Sequence, residues 1–527
     1  MTNFLRSGPT RPLTTRSRAD TTWRGSGLAL AAMLLAVSMT FIDQTIVAIA
    51  APTIATELSL DHTGTQWIVN AYLLALAAAF ALGGRLADVI GSRRMVVVGI
   101  VGFAASSSLC GATPGGSVAE SWIIAFRVVQ GVSGAIMIPA ALAVVIAAFP
   151  VDRRGRALAV FFSVSGGMTS IGPIAGGYLT HWTWRAIFWI NIPVALLALV
   201  AVACARIPRT CRHDPIDIRG AVLAALGMGL SILGLQQAQA WGWHSAQTIA
   251  CIVGGVIVLA VFVLIETRTP SPLLRVDVFH GRAFVIDNAV LFCAMFAFIP
   301  VFFFASIYAQ LSLGYDASHA GLYLLVFFAG FAPAAQFGGR LLDLSGARRP
   351  MVLGSALSTI GFALWAAQLH RLTLGAQAPY IVLAGAGVGL LLGPASTDAV
   401  NRAINASYGE VTGITQTVRN YASALGLAVL GTLFTTIFTD RFAHSLMTIG
   451  IPGGTAREIA DQVVTGSHTG TPAPLQHQIH QQVAADVATA TAWVMYGMAI
   501  ALAVCFLVAL RHPGDRGSGR PTSRGNS

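Results

Sequence analysis

Apolar stretches of about 20 residues recur along nearly the whole chain, which is the length that an α-helix needs to cross a bilayer. Only 10% of the 527 residues are charged, and the mean hydropathy is +0.71. A water-soluble chain of this length would have about a quarter of its residues charged. With so few charged residues, the present chain cannot cover a globular surface with polar groups. The pattern therefore predicts an all-α polytopic membrane protein.

The apolar stretches define fourteen candidate spans, with ends placed to within several residues. They are 28–50, 66–84, 95–113, 121–148, 157–179, 186–205, 219–239, 247–265, 284–309, 319–338, 350–369, 379–400, 412–438 and 487–510. An even number of spans places both termini on one side. Most arginines then fall on that side, and the other side holds only Arg185, Arg371, Arg441 and Arg457. By the positive-inside rule, both termini are expected to be cytoplasmic.

A twelve-residue segment occurs twice and indicates two related halves. Residues 83–94 read GGRLADVIGSRR, and residues 338–349 read GGRLLDLSGARR. The first copy follows the second span and the second copy follows the tenth. Two six-helix bundles with two extra helices between them account for this offset, and repeated bundles that meet at a central site are a common plan of secondary transporters.

The repeat and the spans together predict five regions. They are a cytoplasmic tail (1–27), an amino-terminal six-helix bundle (28–205), two inserted transmembrane helices with cytoplasmic loops (206–282), a carboxy-terminal six-helix bundle (283–510) and a cytoplasmic tail (511–527). The second bundle includes an outside loop at 440–486, which we expect to be partly ordered at best. The final tail is expected to be disordered.

Several functional classes are disfavoured by the composition. The net charge of +11 comes from arginines that lie between apolar stretches rather than on one soluble domain, which argues against nucleic-acid binding. The chain has no lysine, so it has neither a Walker A loop nor a Schiff-base lysine. His477 and His480 have helical spacing but no third ligand nearby, so no metal site is expected there. The spans contain no catalytic grouping, so we expect no enzyme.

Five segments in chain order resemble the motifs of the major facilitator superfamily, specifically its fourteen-span drug:proton antiporters of the multidrug and quaternary-ammonium resistance type. They are FIDQTIVAIAAPTI (41–54), WIVNAYLL (67–74), the first repeat copy, RVVQGVSGAIMIPA (127–140), and GGMTSIGPIAGG (166–177) with WRAIFWINIPV (184–194). The resemblance implies export of hydrophobic or cationic molecules across the bacterial cytoplasmic membrane by alternating access. It also implies protons as the coupling ion, no other cofactor, and a monomer whose partners are lipid and a small-molecule substrate.

An acidic residue, Asp43, lies inside the first span, and a basic residue, Arg127, lies inside the fourth. A carboxylate is costly in its charged form within a membrane, so a proton-coupled carrier has a use for such a group. At ~1.5 Å per residue, both residues lie roughly 10 Å inside the outer boundary and are expected to meet. Gln130, one turn from Arg127, extends the polar patch. The alternative is a static salt bridge that only holds the helices together.

Other candidate residues belong to the repeat and to the fifth span. In the resemblance, Gly172, Pro173, Gly176 and Gly177 form the antiporter motif, although simple close packing of helices explains the same residues. We interpret the charged residues of both repeat copies as gating loops, with topology anchors as the alternative. These residues are Arg85, Asp88, Arg93, Arg94, Arg340, Asp343, Arg348 and Arg349.

In the second half, Asp287, Asp398 and Arg419 lie within about two turns of the inner ends of their spans, where they are expected to form a polar cluster or to snorkel as separate charges. Phenylalanines crowd the ninth span, either as a substrate pocket or as core and lipid-facing residues. A dedicated exporter of one metabolite, or an importer, keeps the same fold. A receptor or channel without coupled transport is a further alternative, but the spans offer few polar groups for a pore.

Overall fold

The computed structural model describes residues 16–149, 171–205, 217–269, 281–402, 408–448 and 473–514, with a few isolated positions between these ranges. This part of the chain is helical and contains no strand. Its helices are α1 (Arg16–Leu58), α2 (His62–Ile90), α3 (Ser92–Gly111), α4 (Ala119–Ala148), α5 (Ile171–Trp182), α6 (Ala186–Cys204), α7 (Ile218–Trp241), α8 (Ala246–Glu266), α9 (Arg282–Leu311), α10 (Ala317–Ser345), α11 (Arg348–Gln368), α12 (Leu374–Arg402), α13 (Tyr408–Thr448) and α14 (Ala473–Leu510).

Helix length and composition agree with the predicted spans. Among the described residues, 12 helices are long and apolar enough to cross a membrane, and α2 raises the number to 13 when its two bent segments are taken as one span. Only Ile171–Trp182 of the fifth span is described as a continuous helix. Most of the remaining predicted range 157–170 lies outside the described residues. The prediction of an all-α polytopic protein is confirmed.

Three helices extend well beyond the predicted membrane segments. Helix α1 begins at Arg16, within the predicted tail, and continues through Pro52. Helix α13 reaches Thr448 and α14 begins at Ala473, so the outside loop predicted at 440–486 is shorter than expected. Hydropathy marks only the part of a helix inside the bilayer, and a helix that projects into water continues with polar residues.

The two halves repeat the same helix packing, and the repeated segment helps to explain why. Helix α4 packs against α2 and α3, and α12 packs against α10 and α11 in the same way. A Cβ at Gly83 would collide with the backbone of Ala135 on α4, and a Cβ at Gly338 would collide with the backbone of Leu390 on α12. Both repeat copies therefore carry a glycine where two helices cross closely.

A second glycine of each copy forms the turn between two helices. Gly91 ends α2 with a φ of 108°, and Gly346 ends α10 with a φ of 75°. These backbone angles are strained for residues with a side chain. The repeated sequence thus encodes the same crossing and the same turn in each half.

The inserted helices form a hairpin whose first member bridges the two halves. On the amino-terminal side, Asn70 of α2 donates a 2.6 Å hydrogen bond to Gln236 of α7, and both side chains are buried. On the carboxy-terminal side, Thr432 of α13 donates to the carbonyl oxygen of Leu235 at 3.1 Å. Helix α8 packs mainly on α7 and exposes an apolar face that suits lipid. The hairpin therefore covers the seam between α2 and α13.

We expect Gln236→Leu to lower the apparent stability by about 1–3 kcal/mol, because it removes the hydrogen-bond acceptor of the buried Asn70 amide. Thermal unfolding of the detergent-purified protein measures this loss. The double variant Asn70→Leu/Gln236→Leu removes both polar groups and should recover much of it. A double variant as unstable as the single one would show that the pair does not act through this hydrogen bond.

Candidate functional site

The structure brings Asp43 of α1 together with Arg127 and Gln130 of α4, and all three side chains are buried. The Arg127 Nη1 donates to Asp43 Oδ2 at 2.6 Å, and the Gln130 Nε2 donates to Asp43 Oδ1 at 3.0 Å. The Arg127 Nη1 also lies 2.7 Å from Gln130 Oε1. Each carboxylate oxygen thus has its own donor, and the depth argument from the sequence correctly placed the ion pair.

Neutral groups complete the surroundings of Arg127. Its Nε donates to the carbonyl oxygen of Ile68 on α2 at 2.8 Å. Its guanidinium carbon lies 4.4 Å from the centre of the Tyr72 ring, close enough for a cation–π interaction. Sequence reasoning missed both contributions from α2. A backbone carbonyl has no sequence signal, whereas Tyr72 lies within the quoted segment WIVNAYLL.

A buried ion pair of this kind adds little net stability, because desolvation of the two charges offsets most of their attraction. Removing one partner is costly, typically about 3–5 kcal/mol, because it leaves the other charge buried and unpaired. The groups around Arg127 reduce this cost. When Asp43 takes up a proton, Arg127 keeps the Ile68 carbonyl, the Gln130 amide oxygen and the Tyr72 ring. The arrangement is chemically suited to a carboxylate that gains and loses a proton.

The glycines of the antiporter motif lie where α5 meets both halves. A Cβ at Gly172 would collide with Thr45 of α1, and a Cβ at Gly177 would come 2.8 Å from the carbonyl oxygen of Ala317 at the start of α10. A Cβ at Gly321 of α10 would collide with the carbonyl oxygen of Pro173. Gly176 lies against Ile46. The motif therefore permits close packing within the first half and between the halves.

Further contacts join the two halves on the outer side, which is the side opposite the chain termini. The Ser306 Oγ and the Gln310 Nε2 of α9 both donate to the carbonyl oxygen of Ile49 on α1, each at 3.2 Å. The Ser318 Oγ of α10 donates to the carbonyl oxygen of Gly177 at 3.0 Å. Together with the glycine contacts, these bonds hold α1 and α5 against α9 and α10 at the outer side.

The repeated loops make equivalent contacts within their own halves. The Arg93 Nη2 donates to the carbonyl oxygen of Val202 near the end of α6 at 3.4 Å. The Arg348 Nη2 donates to the carbonyl oxygen of Leu510 at the end of α14 at 3.0 Å. In each half, an arginine of the loop thus contacts the end of the last helix, where the carbonyls lack helical partners. These two contacts support an anchoring role for the loops.

The other predicted loop residues differ in exposure. Arg85 and Asp88 are half-buried in the first copy. The remaining ones are exposed: Arg94, Arg340, Asp343 and Arg349. A gating role for the loop residues stays a prediction.

The predicted inner polar cluster has a different membership from the expected one. Asp287 and Asp398 do meet, but their shared partner is His512, whose Nε2 lies 3.3 Å and 3.1 Å from their carboxylate oxygens. Arg419 instead donates to Gln416 Oε1 at 2.8 Å on its own helix. Placing Arg419 in this cluster was therefore wrong. Its position on α13 directs it towards Gln416 and α9, where its other described contact is the Met295 sulfur.

The phenylalanines of α9 are mainly core residues. Phe298, Phe302, Phe303 and Phe304 are at most 3% exposed. Phe298 and Phe302 pack against rings of α10, such as the stacked Phe302–Phe328 pair with centroids 5.2 Å apart, and Phe304 packs against Phe434 of α13. This packing favours the core interpretation over a substrate pocket for these four residues.

Comparisons with known proteins agree with the geometry. The family model of the Major Facilitator Superfamily matches residues 33–222 and 218–427. A tetracenomycin C resistance and export protein from Streptomyces glaucescens is 32% identical over 466 residues, which cover 85% of this chain and 86% of the relative. The multidrug resistance protein Stp from Mycobacterium tuberculosis (strain CDC 1551 / Oshkosh) is 29% identical over 489 residues, which cover 90% of this chain and 89% of the relative.

A solved structure shares the fold at low sequence identity. A bacterial homolog of the human lysosomal transporter Spinster, in an inward-facing and unoccupied conformation, superposes with a TM-score of 0.59 at 17% identity. The match covers 92% of this chain and 97% of that structure. From the two family-model matches, the similarity to the export protein and the helix arrangement, we conclude that this chain belongs to the Major Facilitator Superfamily.

Proposed function

We propose that the protein is a proton-coupled antiporter that exports hydrophobic or cationic small molecules across the cytoplasmic membrane by alternating access. The observation that carries this proposal is the buried Asp43–Arg127–Gln130 cluster, because such a carboxylate inside a membrane marks a proton site or a substrate site. The names of the two relatives, one a multidrug resistance protein and one a resistance and export protein, support drug export.

In the proposed cycle, Asp43 binds a proton when the site faces the outside. Its charge is then neutralised, and Arg127 is held by Ile68, Gln130 and the Tyr72 ring. When the site faces the cytoplasm, the proton leaves and the ion pair forms again. Substrate moves in the opposite direction to the proton. The two halves rock around a site near the membrane midplane and so expose it to each side in turn.

Alternating access requires that the outer contacts break and form again. The bonds from Ser306 and Gln310 to Ile49 are single hydrogen bonds to a backbone oxygen. Each contributes about 0.5–1.5 kcal/mol, which a conformational change can exchange for water. The glycine contacts between α5 and α10 provide close packing without interlocked side chains, so the surfaces can separate.

A second candidate is a dedicated exporter of one endogenous metabolite or antibiotic with the same fold. It is favoured by the relative that is named for the export of a single compound, tetracenomycin C. Both candidates use the same proton site and differ only in the substrate pocket.

The chain is a multi-pass membrane protein. We infer that it lies in the bacterial cytoplasmic membrane with both termini in the cytoplasm, which the arginine distribution supports. The same proposal has four further parts. The protein acts as a monomer, binds no nucleic acid, uses no cofactor other than protons and has no enzymatic activity.

Ethidium efflux from energised bacterial cells that express the protein tests the proposed activity. We expect cells with the protein to lose preloaded ethidium faster than control cells, and a protonophore to abolish the difference. If a well-expressed and correctly inserted protein does not export ethidium, the multidrug proposal fails in favour of the dedicated exporter. If efflux persists in protonophore, the proton-coupling proposal fails.

A further inference from the structure

A second arginine, Arg419, lies inside a membrane span, on α13. At ~1.5 Å per residue it lies roughly 16 Å along this helix from the inner end at Tyr408. Its Nη1 donates to Gln416 Oε1 at 2.8 Å, and its Nη2 donates to the sulfur of Met295 on α9 at 3.9 Å. Its Nε is buried and has no hydrogen-bond partner among the described residues. A thioether sulfur is a weak acceptor, so the guanidinium has one strong partner there.

The edge of this guanidinium that lacks a strong partner is an edge that suits carboxylates. In an arginine side chain, the Nε–H and one N–H of Nη2 point in the same direction and form a fork of two donors. The Nη1 group, outside this fork, is the one bonded to Gln416. Within the described residues, the fork of Arg419 therefore has only the Met295 sulfur as a partner. The two oxygens of a carboxylate match such a fork.

Arg419 also differs from Arg127 in its electrostatic partners. Arg127 pairs with Asp43, whereas no acid of the described residues forms an ion pair with Arg419. The one acid of α9, Asp287, lies within about two turns of the inner end of its helix and pairs with His512. Charged residues inside a membrane are costly and typically mark a pathway for substrate or ions. The charge of Arg419 therefore favours a bound molecule that supplies a counter-charge.

The residue after Arg419 brings a further donor. Asn420 is 2% exposed, and its Nδ2 has no hydrogen-bond partner among the described residues. Gln416 and Asn420 are four residues apart, so they lie on the same face of α13. The Gln416 Oε1 already accepts a hydrogen bond from Arg419. The unsatisfied groups of Arg419 and Asn420 are thus N–H donors, which favours a ligand group that offers only acceptors.

The contacts of neighbouring residues show where this face of α13 points. Thr417 Oγ1 donates to a backbone oxygen of α2 at 3.4 Å, and Ser423 Oγ donates to a backbone oxygen of α9 at 3.3 Å. With 3.6 residues per turn, Gln416 and Asn420 lie between the directions of Thr417 and Ser423. Helix α2 belongs to the first half and α9 to the second. The face therefore points to the interface between the halves, where a carrier of this plan binds its substrate.

The surroundings of these donors are apolar but not closed. Arg419 is half-buried, although Gln416 and Asn420 beside it are only 5% and 2% exposed. Part of the Arg419 side chain therefore borders open space. Leu427, which lies on the same face as Asn420, and Met295 of α9 are both buried. A ligand bound here would place a charged group at Arg419 and an apolar part against these two side chains.

We propose that Arg419 and Asn420 form a binding subsite for the carboxylate of an otherwise apolar molecule that the protein transports. Arg419 binds the two oxygens through Nε and Nη2, Asn420 Nδ2 donates to one of them, and Gln416 holds the guanidinium in this orientation. The inference rests on the proposed export function and extends its substrate range to amphipathic acids. The charge of Arg419 selects such acids over neutral molecules of the same shape.

Binding of naphthoate to the full-length, detergent-purified protein tests this subsite, with neutral naphthamide as a ligand of the same shape. In isothermal titration calorimetry, the wild type should prefer naphthoate by at least about tenfold, the effect of one charge-assisted hydrogen bond. Arg419→Gln should lose this preference. Arg441→Gln is the matched control, because Arg441 is an exposed arginine near the outer end of the same helix. Equal naphthoate affinity of the wild type and Arg419→Gln, or no preference by the wild type, would overturn the proposal.

Further measurements separate loss of the subsite from loss of folding or of transport. Arg419→Gln should unfold at the wild-type temperature or higher, because it removes a buried charge, and should bind naphthamide as the wild type does. Asn420→Leu removes only the amide donor and should weaken naphthoate binding severalfold without changing naphthamide binding. Unchanged naphthoate binding by this variant would exclude Asn420 from the subsite.

The binding assay needs no proton gradient, so it is independent of the proposed transport. Proton-driven ethidium efflux by a protein without a preference for naphthoate would reject the subsite and leave the proposed function intact. A preference for naphthoate that depends on Arg419, in a protein whose efflux persists in protonophore, would support the subsite and reject proton coupling.

Discussion

Asp43→Asn is expected to abolish proton-driven efflux while the protein remains in the membrane. Asparagine has the shape of aspartate but cannot bind and release a proton. Its amide also brings a donor towards Arg127, which already contacts Gln130 and Ile68. Ethidium efflux from energised cells should fall to the level of cells without the protein. Asp440→Asn is a matched control, because Asp440 is an exposed acid near the outer end of α13.

A folding defect is the main competing explanation, since Asp43→Asn leaves Arg127 without its counter-ion. Such a loss typically costs about 3–5 kcal/mol. The double variant Asp43→Asn/Arg127→Gln removes both charges and should recover normal size-exclusion behaviour, yet remain unable to couple to protons. Proton-driven efflux by either variant at the wild-type rate would contradict the role of Asp43.

Gly321→Val is expected to stop transport by preventing closure of the outer side. A Cβ at this position collides with the carbonyl oxygen of Pro173 and lies 3.2 Å from the Cα of Gly177. These are backbone atoms, so they cannot rotate away, and α5 and α10 must separate. Efflux should be lost although the protein inserts normally. Gly254→Val on α8 is the control, since a Cβ there comes within 4 Å of no atom beyond the neighbouring backbone of its own helix.

Accessibility from outside the cell shows whether this loss arises from the conformation. Ser306→Cys places a thiol beside Ile49, in the buried contact between α9 and α1. A membrane-impermeant maleimide added outside should label this thiol more rapidly in the Gly321→Val background than in the otherwise unchanged protein. Unchanged labelling together with normal efflux would show that the α5–α10 contact is not required for closure.

Much of the fold follows from the sequence because a bilayer imposes simple rules. Apolar length sets the helices, and arginine placement sets their alternation. The meeting of Asp43 with Arg127 could be predicted because antiparallel spans of known direction fix the depth of each residue. The repeat displays Gly83 and Gly338 at equivalent positions, but only the structure shows that both lie at close helix crossings.

Other features could not be read from the sequence, because they depend on which helix faces touch. Nothing in the sequence links Asn70 with Gln236, which lies 166 residues away. His512 lies in the tail that was expected to be disordered, yet it is 1% exposed and contacts two acids from distant helices. Its only signal is a histidine two residues beyond an apolar helix. Arg419 was assigned to the cluster by depth alone, and depth does not give the direction of a side chain.

Proton coupling through Asp43 is tested most directly in inverted membrane vesicles from cells that express the protein, with an acidic lumen imposed on the vesicles. We predict that the wild type accumulates ethidium in the lumen, releases protons as it does so, and stops when an ionophore dissipates the pH gradient. Asp43→Asn should bind ethidium but neither accumulate it nor release protons. Accumulation by the wild type that is indifferent to the gradient, or proton release by Asp43→Asn equal to that of the wild type, would contradict a proton-coupled antiporter with Asp43 as its proton carrier.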